Sequence, residues 1–318
     1  MTLQRLGQIF DPRAHRLLTG CVDFAQSPQT LMRDNGLRVY FSTRSAETDG
    51  TFRSHPAYVD FDMDLRTIRG VSSHQILPLG ALGTFDEHGI FPLSVLRSGS
   101  EIRGYTTGWN RRVSVSVDTG IGLVVSYDDG ETFSRIGDGP ILGPSLHEPM
   151  LVCDGFVLEA FQRFHMFYIF GQRWVRETAE SPPDRVYKIG HTTSVDGVFW
   201  EPSGGKTILP DQIGLDECQA LPSVAWYGGR YHMAFCYRDA HGFRHDRARA
   251  YRLGYAWSDD LENWTRDDDV LAMAPQAGAW DSEMQCYPHL FVHQGVLHML
   301  YNGNAFGRYG FGLARLDL

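Results

Sequence analysis

The chain has 318 residues, 42% of them apolar and 21% charged, the composition of a folded globular protein rather than a disordered one. Its formal net charge of −9 argues against a nucleic-acid groove or an anionic membrane surface as the main partner. No apolar run approaches the ~18 residues of a membrane-spanning helix.

In chain order, the first segment, LGQIFDP (6–12), reads as a short strand, and five degenerate repeats follow it. The first repeat runs CVDFAQSPQTLM (21–32), LRVYFSTR (37–44), AYVDFD (57–62) and QILPL (75–79). The second runs FDEHGIFPLSVL (85–96), IRGYTTGW (102–109), IGLVVSYDDG (121–130) and GPILG (139–143). The third gives PSLHEPMLV (144–152), HMFYIFG (165–171), YKIGHTTSVDG (187–197) and KTILP (206–210). The fourth gives LDECQALPSVAW (215–226), YHMAFCYRD (231–239), YRLGYAWSDD (251–260) and DVLAM (269–273). The fifth gives DSEMQCYPHLFV (281–292), LHMLYNGN (297–304) and YGFGLARLDL (309–318), and lacks a fourth segment.

Apolar and aromatic residues alternate along these segments, which are bounded by Gly, Asp and Pro, so they read as strands of one repeated unit. Pro28, Pro92, Pro149, Pro222 and Pro288 recur 64, 57, 73 and 66 residues apart. The next strand's central aromatic follows its proline by 12 or 13 residues in four repeats. In the third repeat, Tyr168 follows Pro149 by 19, which reads as an insertion there. The turns SYDDGETF, SVDGVFW and SDDLENW close similar hairpins. The expected fold is all-β: a five-bladed β-propeller of four-stranded antiparallel blades, one domain over residues 1–318. Gly7–Phe10 supplies the missing outer strand of the last blade and closes the ring.

In a propeller the first strand of each blade lines the central channel. Five residues before four of the prolines stand Asp23, Glu87, Glu217 and Glu283. Asp86 and Asp216 lie one position further back, Asp281 lies seven before its proline, and Glu148 directly precedes Pro149. Acids at a repeated position also serve to accept backbone N–H groups where a strand begins. As a converging set they need something to bind, such as a hydroxyl-rich sugar or a divalent cation. Calcium is the metal these oxygen ligands would suit. The five cysteines (Cys21, Cys153, Cys218, Cys236, Cys286) are odd in number and contain no CxxC pair. They indicate neither a zinc site nor a disulfide framework, the histidines show no HExxH spacing, and no cofactor is expected. The N-terminal segment lacks a secretory apolar core, and the expected location is cytoplasmic.

The repeat, the acidic inner strands and the SDDLENW-type turns resemble the five-bladed propeller glycosidases, glycoside hydrolase families 32, 43, 68 and 130. The resemblance implies a glycosidase acting on a carbohydrate through one acid from each of the first three blades. Matched by position these are Asp23 as base or nucleophile, Asp86 as the tuning acid and Glu148 as general acid, with Glu87 or Asp281 as stand-ins for Asp23. Glu148 lies beside His147, Pro149 and Met150, where partial burial would keep it protonated. Blade 1 reads CVDFAQSP and blade 2 FDEHGIFP, departing from the Asp-Pro runs of those families. Trp109, Trp174 and Tyr287 are candidates to stack on sugar faces, and Asn110, Asn302 and Asn304 to bond hydroxyls. Phosphorolysis on the same scaffold would draw on Arg111, Arg112, Arg238 and Arg244. A non-catalytic carbohydrate-binding propeller is the remaining alternative. The segment 174–186 is a candidate lid.

Overall fold

The computed structural model describes residues 2–317. The chain is nearly all β. It opens with β1 (Thr2–Phe10) and then lays down five antiparallel strand groups. The first holds β2 (Gln26–Arg33), β3 (Gly36–Ala46), β4 (Phe52–Phe61) and β5 (Ile68–Val71). The second holds β6 (Gly89–Ser98), β7 (Glu101–Arg111), β8 (Val117–Ser126) and β9 (Ser134–Arg135). The third has β10 (Met150–Ala160), β11 (Arg163–Val175) and β12 (Asp184–Ser194). The fourth has β13 (Glu217–Tyr227), β14 (Arg230–Asp239), β15 (Arg252–Ser258) and β16 (Thr265–Arg266). The fifth has β17 (Cys286–His293), β18 (Val296–Asn302) and β19 (Phe311–Asp317), and β1 pairs antiparallel with β19 as its outer strand.

Apolar layers separate successive groups. Leu31, Tyr40, Ile90 and Val124 fill the space between the first and second groups, and Tyr105, Ile121, Val157 and Met166 that between the second and third. Phe10, Phe41, Phe291 and Phe311 join the fifth group to the first. The innermost strands β2, β6, β10, β13 and β17 touch in that order, and β17 touches β2. Asn302 stitches this last junction. Its Oδ1 accepts the Ser27 N–H at 2.7 Å, and its Nδ2 donates to the carbonyls of Ala25 and Gly310 at 2.8 and 2.7 Å.

The turns after β8, β12 and β15 share one construction. Ser126, Ser194 and Ser258 accept a backbone N–H with Oγ, while Asp128, Asp196 and Asp260 each accept two more. The Tyr40 hydroxyl donates to the Gly130 carbonyl and the Tyr105 hydroxyl to that of Gly197, tying each group to the turn of the next.

Two expectations are corrected. The apolar segments QILPL, GPILG, KTILP and DVLAM are not the fourth strands, which in the first, second and fourth groups lie earlier in the chain and are short, while the third group has three strands among the described residues rather than four. Residues of those segments, such as Ile76, Leu77 and Leu271, instead pack as buried non-strand chain. The register of the third repeat also changes. Each inner strand carries a β-bulge, at Ser27–Pro28, Phe91–Pro92, Asp154–Gly155, Leu221–Pro222 and Tyr287–Pro288. Proline recurs there because an unpaired bulge residue has no use for an N–H. Gly155 takes its place in the third strand, where a Cβ would lie 3.0 Å from Ile121 and 3.3 Å from Met166. Counted from Gly155, Tyr168 falls at the common offset of 13, and Pro149 lies outside the strand. The insertion inferred from the sequence disappears.

Candidate functional site

Bulges from different strand groups meet. Phe91, from the second group, lies 5.4 Å ring to ring from Tyr287 of the fifth, and Tyr287 packs on Tyr251 at 5.6 Å. Ser27, Asp154, Leu221 and Tyr287 all have positive φ, between 50 and 57°, the left-handed region that non-glycine residues rarely occupy. Asp154 is the charged member of this ring. Its N–H donates to Thr107 Oγ1 at 2.6 Å, so a side chain of the neighbouring group holds the bulge in place. Burial pushes the Asp154 carboxyl up to about 7, against the pull of the Leu221 N–H and Arg185. A carboxylic acid that is still about half protonated at neutral pH can serve as a proton donor.

Arg185 acts on Asp154, and Arg244 has both Arg185 and Arg238 as neighbours. Arg238 is buried, with its guanidinium 3.6 Å from the Phe243 ring centroid and 5.3 Å from those of Tyr187 and Tyr251. Its Nη1 donates to the carbonyls of Asp239 and Ala240, and its Nε has no partner among the described residues. Arg244 sits 4.2 Å over Phe243 and 3.8 Å from Asp184. Desolvation and the neighbouring Arg185 and Arg238 hold the Arg244 guanidinium below its ordinary range. Clustered cations favour an anion between them.

The acids expected to line the channel are mostly tied into their own strand groups. Asp86 binds Arg135 of β9 at 2.5 Å, and Glu217 binds Arg266 of β16 at 2.6 Å with both side chains buried. Asp281 accepts from Tyr301 at 2.9 Å and lies 3.7 Å from Arg5 of β1. Glu148 is buried and accepts from the hydroxyls of Tyr168, at 2.5 Å, and Ser203. The carboxyls of Asp86 and Glu148 are thus each held by partners in their own strand group. Asp23 binds Arg308 at 2.9 Å, closer to the mouth. Asn302 is wholly occupied by the junction stitch, which corrects its expected sugar contact. Exposed Asp216 and Glu283 pair with Arg173 and Arg247, and Glu87 accepts the Gly83 N–H. His147 and Arg112 are exposed. Trp109 stacks on His88 at 6.0 Å, Asn110 donates to the Thr84 carbonyl, and Arg111 binds Glu47. Among the described residues, no group of three or more His, Cys, Asp or Glu converges as a metal cradle, and the acids considered for calcium are paired instead. No helix is long and apolar enough to cross a membrane.

No family model matches the chain. It is 32% identical to the uncharacterized protein Rv1502 of Mycobacterium tuberculosis over 326 aligned positions, covering 100% of both chains. The chain belongs to the Rv1502 family. A stretch of 149 residues, 43% of this chain and 46% of the other, is 27% identical to the beta-1,2-mannobiose phosphorylase of a Thermoanaerobacter species. Among solved structures, a glycoside hydrolase superimposes with a TM-score of 0.74 at 17% identity, covering 99% of this chain and 92% of that one. The beta-1,2-mannobiose phosphorylase of Listeria innocua superimposes with a TM-score of 0.68 at 10% identity, covering 100% and 97%. The fold of this Rv1502-family chain is that of the β-propeller glycosidases.

Two site features of this family member escaped sequence reasoning. Asp154 was hidden because the third repeat was aligned on Pro149; counting back 13 from Tyr168 reaches Gly155, the residue next to it. Arg185 lies at the end of the candidate lid segment, where nothing in the pattern singles it out. Of the expected residues, Arg238 and Tyr287 do reach the site, both buried.

Proposed function

We propose that this chain cleaves a glycosidic bond at the mouth of a closed five-bladed propeller, passing the glycosyl group to inorganic phosphate. The five apolar layers in cyclic order support the closure. Asp154, as a neutral carboxylic acid, donates its proton to the leaving oxygen. Phosphate held by Arg185, Arg238 and Arg244 attacks the anomeric carbon as the glycosidic C–O bond breaks. The products are a sugar 1-phosphate and the freed sugar. Tyr287 forms the floor, and Asp23 and Trp109 belong to the rim.

The observation that carries this reading is a buried carboxyl pushed up to about 7 with Arg185 beside it, Arg185 being in turn a neighbour of Arg244 in an arginine cluster, while the acids named above are paired elsewhere. Hydrolysis would call for a second free carboxylate to activate water, whereas phosphate brings its own nucleophilic oxygen and needs cations to hold it. The partial likeness to a mannobiose phosphorylase points the same way.

The test is turnover of a disaccharide panel, β-mannosides included, with and without phosphate, by the parent and Asp154→Asn. Release of sugar 1-phosphate that needs phosphate and falls at least ~100-fold in the variant is expected. Phosphate-independent turnover would make water the acceptor and the chain a hydrolase. Equal rates in both proteins would remove Asp154 from the chemistry.

A further inference from the structure

One arginine at the mouth has no part in the reaction just proposed. The guanidinium of Arg44, near the end of β3, lies between two aromatic rings, 4.2 Å from the centroid of Phe24 and 4.0 Å from that of Phe52. Its Nε donates to Gln26 Oε1 at 2.9 Å, and Gln26 is itself fixed by donating Nε2 to the Phe306 carbonyl at 2.7 Å. Phe24 adopts a left-handed φ of 65° to present its ring there. Among the described residues no carboxylate lies within ion-pair distance of Arg44, and neither Nη donates to a protein acceptor. The nearby Asp23 is taken by Arg308.

Apart from Arg238, which also lacks a carboxylate, other buried arginines of this chain are matched by acids. Arg38 pairs with Asp60 at 2.7 Å, Arg135 with Asp86 and Arg266 with Glu217. Arg44 keeps an unmatched charge in a partly desolvated place, and burial pushes its pKa down to about 10. Such a charge is costly unless a partner arrives. With both faces covered and Nε committed, the free Nη edge is held in a fixed plane. That planar fork fits two oxygens of a carboxylate or a phosphoryl group, and its orientation needs little further ordering.

We infer that Arg44 receives an acidic group carried by the sugar substrate, a carboxylate or a phosphoester, separate from the inorganic phosphate assigned to Arg185, Arg238 and Arg244. The inference rests on the mouth being the sugar site. It makes the substrate an acidic glycoside rather than a neutral one.

The experiment is isothermal titration of the intact protein with glucuronate, a hexose 6-phosphate, the neutral hexose and inorganic phosphate. It uses the parent, Arg44→Gln and Arg44→Lys. One or both acidic sugars should bind the parent roughly tenfold or more tighter than the neutral hexose, and which of the two does so names the group. Arg44→Gln should erase that preference and leave the affinity for inorganic phosphate within about twofold. Arg44→Lys, which keeps the charge and loses the fork, should retain only part of it. Acidic sugars binding no tighter than the neutral one would overturn the inference. So would a tenfold loss of inorganic phosphate binding in Arg44→Gln, since Arg44 would then belong to the phosphate site. Unfolding midpoints of the two variants within a few degrees of the parent keep the comparison free of misfolding. An acidic-sugar preference without phosphate-dependent turnover would uphold this inference while sinking the reaction proposed above.

Discussion

Replacing Asp154 by Asn tests the buried acid without any substrate. The carboxyl moves from 3.8 in an open chain to about 7 in the folded protein. Because the folded value is raised, stability is fully present below about pH 4 and declines as pH rises toward 7, where the folded state must also ionise. Each unit is ~1.4 kcal/mol, so above pH 7 the buried charge costs roughly 4 kcal/mol, and at pH 5 only about 1–2 kcal/mol. Asn has nearly the same shape, no proton to lose and an oxygen to accept the Leu221 N–H, while the Thr107 bond is made by the backbone. Asp154→Asn should therefore be more stable than the parent at pH 8, by up to roughly 4 kcal/mol, which for a chain of this size is about 6 °C in Tm. The gain should shrink by more than half at pH 5. Urea unfolding at the two pH values, with calorimetry alongside, reads both quantities. A variant no more stable than the parent at pH 8, or a gain that ignores pH, would show that burial does not hold this carboxyl neutral. The proton-donor role would then lose its physical basis. A stability gain joined to lost turnover is the pattern of a site strained for function.

The clasp between Glu217 and Arg266 predicts the opposite response: Arg266→Met leaves a buried carboxylate without its cation and should cost about 3–5 kcal/mol in urea unfolding. Adding Glu217→Gln to that variant should restore much of the loss, and a single-variant cost below about 1 kcal/mol would return Glu217 to the list of channel acids. Asn302→Ala strands the Ser27 N–H and the carbonyls of Ala25 and Gly310 inside the junction. At ~1–3 kcal/mol for each of the three groups left unpaired, roughly 3–9 kcal/mol should be lost. Hydrogen exchange should quicken first in β1, β2 and β19; uniform quickening over all groups would mean that Asn302 does not hold the ends together.

Much of the strand order was legible because alternation and turn chemistry are local. LRVYFSTR and YHMAFCYRD lie wholly within β3 and β14, and the expected closing strand Gly7–Phe10 became part of a longer β1 paired with β19. The fourth strands were misplaced because apolar runs such as QILPL are as fit for buried coil as for a strand. Their true positions carry a signal that periodicity does not weigh. In two repeats an arginine follows the turn aromatic by two residues, Phe133-Ser-Arg135 and Trp264-Thr-Arg266, and each is the partner of an inner-strand acid.

That pairing explains why the acids recur. In the second, fourth and fifth groups the acid near the start of the inner strand meets an arginine of the outer strand of the same group, a structural demand that comes with the repeated unit. Chemistry is not repeated in this way: one reaction needs one donor. The place to seek it is where the repeat breaks. The third group breaks it twice: Trp200 is followed by Glu201 and Pro202 instead of an arginine, so Glu148 is held by hydroxyls, and the bulge proline is replaced by Gly155. The residue before that glycine is Asp154, the charged member of a ring otherwise made of Ser27, Phe91, Leu221 and Tyr287. The exception to the pattern, rather than the pattern, supplies the candidate acid.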